Sequence, residues 1–153
     1  MRIAKDGNST ALVISLSTLL SDVTVMYHRA HGFHWNVTGP DFPEWHDKFA
    51  EIYEDVYGSI DPIAENIRKI GDFPQFRLAE LAARATVSDA TPSGTDAQTL
   101  VADLLATNAG VLASLNDAFT VANAVNQQGI ANFLAERIDS HQKWAWQLSA
   151  SLA

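Results

Sequence analysis

Cysteine is absent from the chain. Its absence excludes disulfide frameworks, thiolate zinc sites and cysteine nucleophiles, and removes one argument for secretion. Proline (five) and glycine (eight) are sparse and gather between long periodic stretches, a distribution that favours helices. Basic residues are also few: ten Lys and Arg stand against eighteen Asp and Glu, for a formal charge of −8. Such a chain repels a phosphate backbone, whose neutralisation supplies much of nucleic-acid affinity, and suits the attraction of cations instead. No uninterrupted apolar run approaches the roughly 18 residues of a membrane span, so no membrane partner is expected. The apolar segment 11–20 follows Arg2 and Lys5 as a signal peptide would, yet its pattern is periodic and no small-x-small site follows it. A cytoplasmic location is expected.

What is present is a globular composition, with 47% hydrophobic and 18% charged residues over 153 positions, enough for one domain spanning 1–153. Apolar residues recur at alternating steps of four and three in four long segments. The first runs through Leu12, Leu16, Leu19, Val23, Met26, Ala30, Phe33 and Val37, and the second from Phe42 and Trp45 to Ile67 and Ile70. Val101, Leu105, Leu112, Leu115, Phe119 and Ala122 mark the third, and Ile130, Leu134, Ile138, His141, Ala145, Leu148 and Leu152 the fourth. Asp41 with Glu44, and Thr95 with Gln98, read as capping boxes, and Gly71 as a C-terminal glycine. Gly39-Pro40 makes the first two helices antiparallel neighbours. Residues 71–94, with Pro74, Pro92, Gly94 and a short helical piece around Arg77 to Arg84, can run the length of a bundle. Two hairpins joined by one long crossover make an all-α, ferritin-like four-helix bundle with a short extra helix between helices two and three.

The chemistry gathers near the first helix turn. His28, His31, His34 and His46 fall within nineteen residues, with His141 far off. Asp61 and Glu65 stand at i,i+4 on the second helix and share a face. Imidazole and carboxylate together suit iron, manganese or zinc. No Glu-x-x-His occurs, which argues against a metal pair inside one bundle. His46 and Asp61 are fifteen residues apart, about 22 Å of helical rise, and cannot share a metal within one chain. If His34, His46, Asp61 and Glu65 make one site, a two-fold pairing must supply the carboxylates from a second chain.

The run His34-Trp35-Asn36-Val37-x-Gly39-x-x-Phe42-x-x-x-His46, followed by Asp61-x-x-x-Glu65-Asn66-Ile67 and Gly71, closely resembles the Dps family of mini-ferritins. The resemblance covers nearly the whole chain and includes Lys143-x-x-Trp146. It implies a hollow homo-dodecamer that oxidises ferrous iron with hydrogen peroxide or oxygen, stores ferric mineral and protects against oxidative stress. It makes His34 and His46 ligands from one subunit and Asp61 and Glu65 ligands from its neighbour, with iron as the metal and zinc possible at the same site. Two departures accompany it. Relatives usually place a carboxylate four residues after the second histidine, where this chain has Ala50. Asp47 and Glu51 point about 100° and 140° away around the helix, so one iron position should be held weakly. Relatives also often carry an acidic run at iron-entry pores, where this chain reads Asn126-Gln127-Gln128-Gly129.

Blander readings accompany each residue. His34 lies on the flank of an apolar stripe, where a lone histidine is more often a hydrogen-bonded core residue. Asp61 and Glu65 could be a solvated face, with Pro62 distorting the helix beside them. His31 reads as a neighbour of the site rather than a ligand, His28 as surface and His141 as a satisfied core histidine. The four tryptophans read as packing residues, although Trp35 could also quench stray oxidising equivalents. Two alternative functions remain: a DNA-compacting Dps with weak oxidase activity, and a zinc-occupied structural or sequestering shell. The terminal segment 1–7 offers only Arg2 and Lys5 against Asp6, which argues against DNA binding.

Overall fold

The computed structural model describes residues 7–153, with side chains from Thr10 onward. The terminal segment weighed above for DNA binding lies almost wholly outside the described residues. Five helices follow one another: α1 (Gly7–Asn36), α2 (Phe42–Lys69), α3 (Leu78–Arg84), α4 (Ala97–Ala124) and α5 (Gln128–Leu152). The expected all-α bundle with a short extra helix is therefore observed, and the described residues hold no strand beyond one isolated bridge, Thr38 with Asp96. That bridge puts the α1–α2 turn beside the start of α4. Because α2 then travels about 40 Å away over its 28 residues, the 70–96 connection must return the whole length of the bundle. α1 packs on α2 and α4 on α5, α1 and α4 form the seam between the hairpins, and α2 meets α5 more sparingly.

The four-three rhythm is buried where expected along α1, α2 and α5. Leu12, Leu16, Leu19, Met26 and Ala30 meet Phe49, Ile52, Val56, Ile63, Ile67 and Leu134 in a fully closed core. In α4 Val101, Leu115 and Ala122 are buried as the spacing suggested, but elsewhere the buried positions fall one residue earlier. Leu104, Val111 and Ala118 are closed off, while Leu105, Leu112 and Phe119 stay half-buried. The helix is apolar nearly all round, so apolarity alone did not mark its inner face. Polar Thr107, Asn108 and Ser114 point inward with it.

The helix ends correct two expectations. Asp41 caps α2 without any side-chain hydrogen bond, and the α4 cap is Asp96 rather than Thr95, its carboxylate accepting from the Thr99 N–H at 3.0 Å. Aspartate one residue closer to the helix reaches an orphan amide that Thr95 does not. Gly71 (φ 88°) ends α2 as expected: its N–H donates to Arg68 O and the Asp72 N–H to Ile67 O, a Schellman closure. Asn126 (φ 59°) ends α4 in the same way.

α1 is long and apolar enough, by length and composition, to cross a membrane, but most of it is buried inside the bundle. It carries two charges, both buried and both used to fasten the long connection. Asp22 accepts from the Thr86 N–H and hydroxyl (2.6 Å each), the Val87 N–H and the Ser114 hydroxyl. Arg29 donates to Asp103 on α4 and to the Ala90 carbonyl at 2.9 Å. The strap so held sits tightly, since a Cβ on Gly110 would lie 2.4 Å from Val87 Cγ1.

Candidate metal centre

His34 falls in the last turn of α1 and His46 in the first turns of α2, with a tight reversal between them. Gly39 (φ 112°) has open space around it and accepts from the Phe42 N–H at 3.1 Å, so the helices reverse within five residues. The reversal brings the two imidazoles face to face, with centroids 3.7 Å apart and planes 16° from parallel. His46 Nδ1 lies 2.7 Å from the His34 carbonyl, and His34 Nδ1 lies 2.5 Å from the His46 carbonyl. A carbonyl only accepts, so each Nδ1 carries the proton. Each ring is thereby pinned, and Nε2 becomes the nitrogen that a metal would take. A metal-binding histidine is normally oriented in this way, its other N–H held by a carbonyl or carboxylate. Two such nitrogens fit iron, zinc or another divalent transition metal.

The flanks of this pair are aromatic. Phe42 stacks on His46 at 5.0 Å, and Tyr53 presents an edge to His34 at 5.4 Å. His31 does not join the pair. It stacks on Tyr53 at 4.0 Å and its Nδ1 is 3.0 Å from the Tyr27 hydroxyl. Partial burial, with the nearby charges of His34 and His28, lowers its pKa below the ordinary 6.5. His28 is exposed, as expected. Trp35 and Trp146 are about two-thirds exposed, so only Trp45 and Trp144 pack in the way suggested for all four.

Asp61 and Glu65 are exposed on α2, far along the helix from His46. Pro62 lies within the helix without ending it. Among the described residues no three His, Asp or Glu side chains gather into a metal-holding group. The histidine pair thus stands at one end of α2 and the two carboxylates farther along it, apart within one chain. Ala50 is half-buried, Asp47 is exposed and Glu51 is paired with Lys48 at 2.9 Å, so neither acid replaces the missing carboxylate.

A second polar group surrounds His141, the satisfied core histidine that the sequence suggested, although its partners were not foreseen. His141 is fully buried: its Nδ1–H donates to Asn108 Oδ1 (2.7 Å), and its Nε2 accepts from Arg137 Nη2 (3.1 Å). Burial first, then the Arg137 charge, lowers its pKa to about 3, against a smaller upward pull from Asp55. Arg137 also grips Asp55 through both oxygens (2.8 and 3.0 Å), and Trp144 donates to the same carboxylate at 2.7 Å. Burial works against the Asp55 charge, but those bonds and the Arg137 charge outweigh it and hold its pKa below the usual carboxylate value. The network ties α2, α4 and α5 together. Its one sequence signal was His141 on an apolar stripe, since Asp55 and Arg137 look like ordinary surface charges.

Comparison with known proteins gives this geometry a context. A family model described as a ferritin-like domain matches residues 15–153. The DNA protection during starvation protein of Brevibacillus brevis is 31% identical over 141 residues, 92% of this chain and 94% of that protein. The protein of the same name from Porphyromonas gingivalis is 30% identical, over 95% of this chain and 91% of its own length. The crystal structure of a Dps protein from Bacillus brevis superposes with a TM-score of 0.92 at 30% identity, covering 98% of this chain and all of that one. The Vibrio cholerae Dps protein, described as a member of a broad superfamily of ferritin-like diiron-carboxylate proteins, gives 0.90 at 28% identity over 95% and 91% of the two chains. With a matching bundle, a matching crossover and this histidine pair at the first turn, the chain belongs to the ferritin-like family and, within it, to the Dps proteins.

Proposed function

We propose that the chain is the ferroxidase and iron-storage subunit of a hollow dodecamer, a single Dps-type domain that works in the cytoplasm. The observation that carries this reading is the reciprocal locking of His34 and His46, which leaves two oriented Nε2 atoms beside the turn. Ferrous iron is the substrate. His34 and His46 of one subunit and Asp61 and Glu65 of its neighbour bind it, the carboxylates offsetting its charge and favouring the ferric product. Hydrogen peroxide or oxygen takes the electrons, and the ferric product is stored as mineral. Two neighbours paired about a two-fold axis form two such sites at once. With Ala50 in place of a further acid, one iron is held firmly and its partner weakly, so turnover is slow rather than absent.

Addition of ferrous iron with peroxide, followed by ferric absorbance, tests the reading. The parent should oxidise iron far faster than His46→Ala at equal assembly. Equal rates would refute it. The histidine pair also accepts zinc, so zinc added before iron should slow the reaction.

A further inference from the structure

The His34 carbonyl is free to hold the His46 ring because α1 stops where it does. Within a helix each carbonyl accepts from the amide four residues on. α1 keeps that pattern to its end, where the Val37 N–H donates to the Phe33 carbonyl at 3.0 Å. The next amide breaks it. One more residue of helix would bring the Thr38 N–H onto the His34 carbonyl, but it donates across to the Thr95 carbonyl at 2.9 Å instead. The two threonine hydroxyls meet at 2.8 Å beside that bond. A helical carbonyl points along the axis toward the next turn, so residue 38 in a helical position would stand where the His46 ring now arrives. His46 Nδ1 takes the vacated place, 2.7 Å from the His34 carbonyl.

Both sides of this contact are firmly based. Thr95 directly precedes α4, whose cap Asp96 accepts from the Thr99 N–H at 3.0 Å and from the Thr99 hydroxyl at 2.7 Å. Val37, next to Thr38, is buried in the core. Thr38 and Thr95 themselves are exposed, so neither hydroxyl serves to fill the bundle. We propose that Thr38 and Thr95 are positioning residues for the histidine pair, a clasp that ends α1 before it can cover the His34 carbonyl. They act on a metal only through that carbonyl and the His46 ring it aims. The assignment rests on the reading of the pair as the iron site.

Valine at either position keeps the side-chain shape and loses the hydroxyl bond. The Thr38 amide, left with one link to α4, can then return to the His34 carbonyl. His46 loses its anchor, its ring turns, and Nε2 is no longer aimed. An orienting partner of a metal-binding histidine is worth about 10- to 100-fold in affinity. The hydroxyl bond is one of two links in the clasp, so its loss should cost about tenfold.

Cobalt(II) added to the iron-free assembled protein is the probe, its visible absorption giving the dissociation constant. Thr38→Val and Thr95→Val should each weaken cobalt binding about tenfold. Because the two hydroxyls make one bond, the double variant should bind no more weakly than either single one. Thr38→Ser, which keeps the hydroxyl, should bind as the parent does. Shell mass and thermal unfolding midpoint should match the parent throughout, since both positions are exposed. With saturating iron and peroxide the oxidation rate should hold, while the iron concentration giving half that rate rises as the cobalt constant does. Metal-free crystal structures give a second readout: in the double variant His46 Nδ1 should have left the His34 carbonyl. Parent-like cobalt affinity in the double variant would overturn the clasp, as would losses that add, losses that Thr38→Ser shares, or an unmoved His46 ring. Failure of the proposed function looks different. A parent that binds cobalt no more tightly than a variant carrying His34→Ala and His46→Ala refutes that reading, while the metal-free structures still test the clasp.

Discussion

Acid should weaken this fold through one buried histidine. His141 has no solvent exposure, and its imidazole is fixed between Asn108 and Arg137 as the neutral Nδ1–H form. Its pKa of about 3 in the fold compares with an ordinary 6.5. Below pH 6.5 the unfolded chain binds a proton at this position that the folded chain refuses, so stability falls as pH falls and levels off near the folded pKa. Each pH unit in that window is worth about 1.4 kcal/mol, hence about 2 kcal/mol lost by pH 5 and about 5 kcal/mol over the full range. His141→Gln removes the titration while keeping an amide near Asn108. Urea unfolding of parent and variant at pH 7, 6 and 5, at matched protein concentration, isolates the contribution, because other titrating groups cancel in the difference. The stability advantage of the parent over the variant should shrink by about 2 kcal/mol from pH 7 to pH 5. An advantage that stays constant across that range would refute the argument.

Asp55→Ala strips Arg137 and the Trp144 indole of their shared acceptor, and urea unfolding at pH 7 should show a loss of about 2–3 kcal/mol, the partial exposure of the pair limiting it. Because the Asp55 pKa is lowered, its contribution is present above the ordinary carboxylate value and disappears as pH falls through the lowered one. The parent-to-Asp55→Ala difference should therefore narrow in strong acid. Gly110→Ala forces a Cβ against Val87 and should destabilise by about 1–3 kcal/mol in thermal or urea unfolding. Val87→Ala in the same chain should recover most of that loss, and no recovery would mean that the strap is not held there.

The bundle was legible because apolar spacing survives without any tertiary information. The stripes of α1 and α2 were buried largely as they read, and Gly71 ended α2 as its lack of a Cβ suggested. In α4 the rhythm placed Val101, Leu115 and Ala122 correctly but missed Leu104, Val111 and Ala118, since a helix apolar nearly all round does not declare its inner face. The Asp96 cap was missed because Thr95 and Gln98 gave an equally good local pattern; in the fold the Thr95 hydroxyl lies 2.8 Å from that of Thr38 instead. The site was half legible. The spacing of His34 and His46 foretold a pair, but the reciprocal Nδ1 bonds depend on the turn geometry and appear nowhere in the sequence. Asp22 and Arg29, the only charges in thirty residues of α1, were a visible signal of buried anchors. The aromatic group around His31 joins residues from two helices, so no linear motif announces it.

In the proposed function each iron site is built from two chains. Co-assembly of two inactive variants tests it most directly: one chain carries His34→Ala with His46→Ala, the other Asp61→Ala with Glu65→Ala. Each variant alone has no complete site. In a mixed pair, one of the two sites regains both intact histidines and both intact carboxylates, so random co-assembly should restore about a quarter of the parent's ferrous iron oxidation. A co-assembled shell with mixed subunits confirmed by mass, yet no activity above either variant alone, would contradict the account.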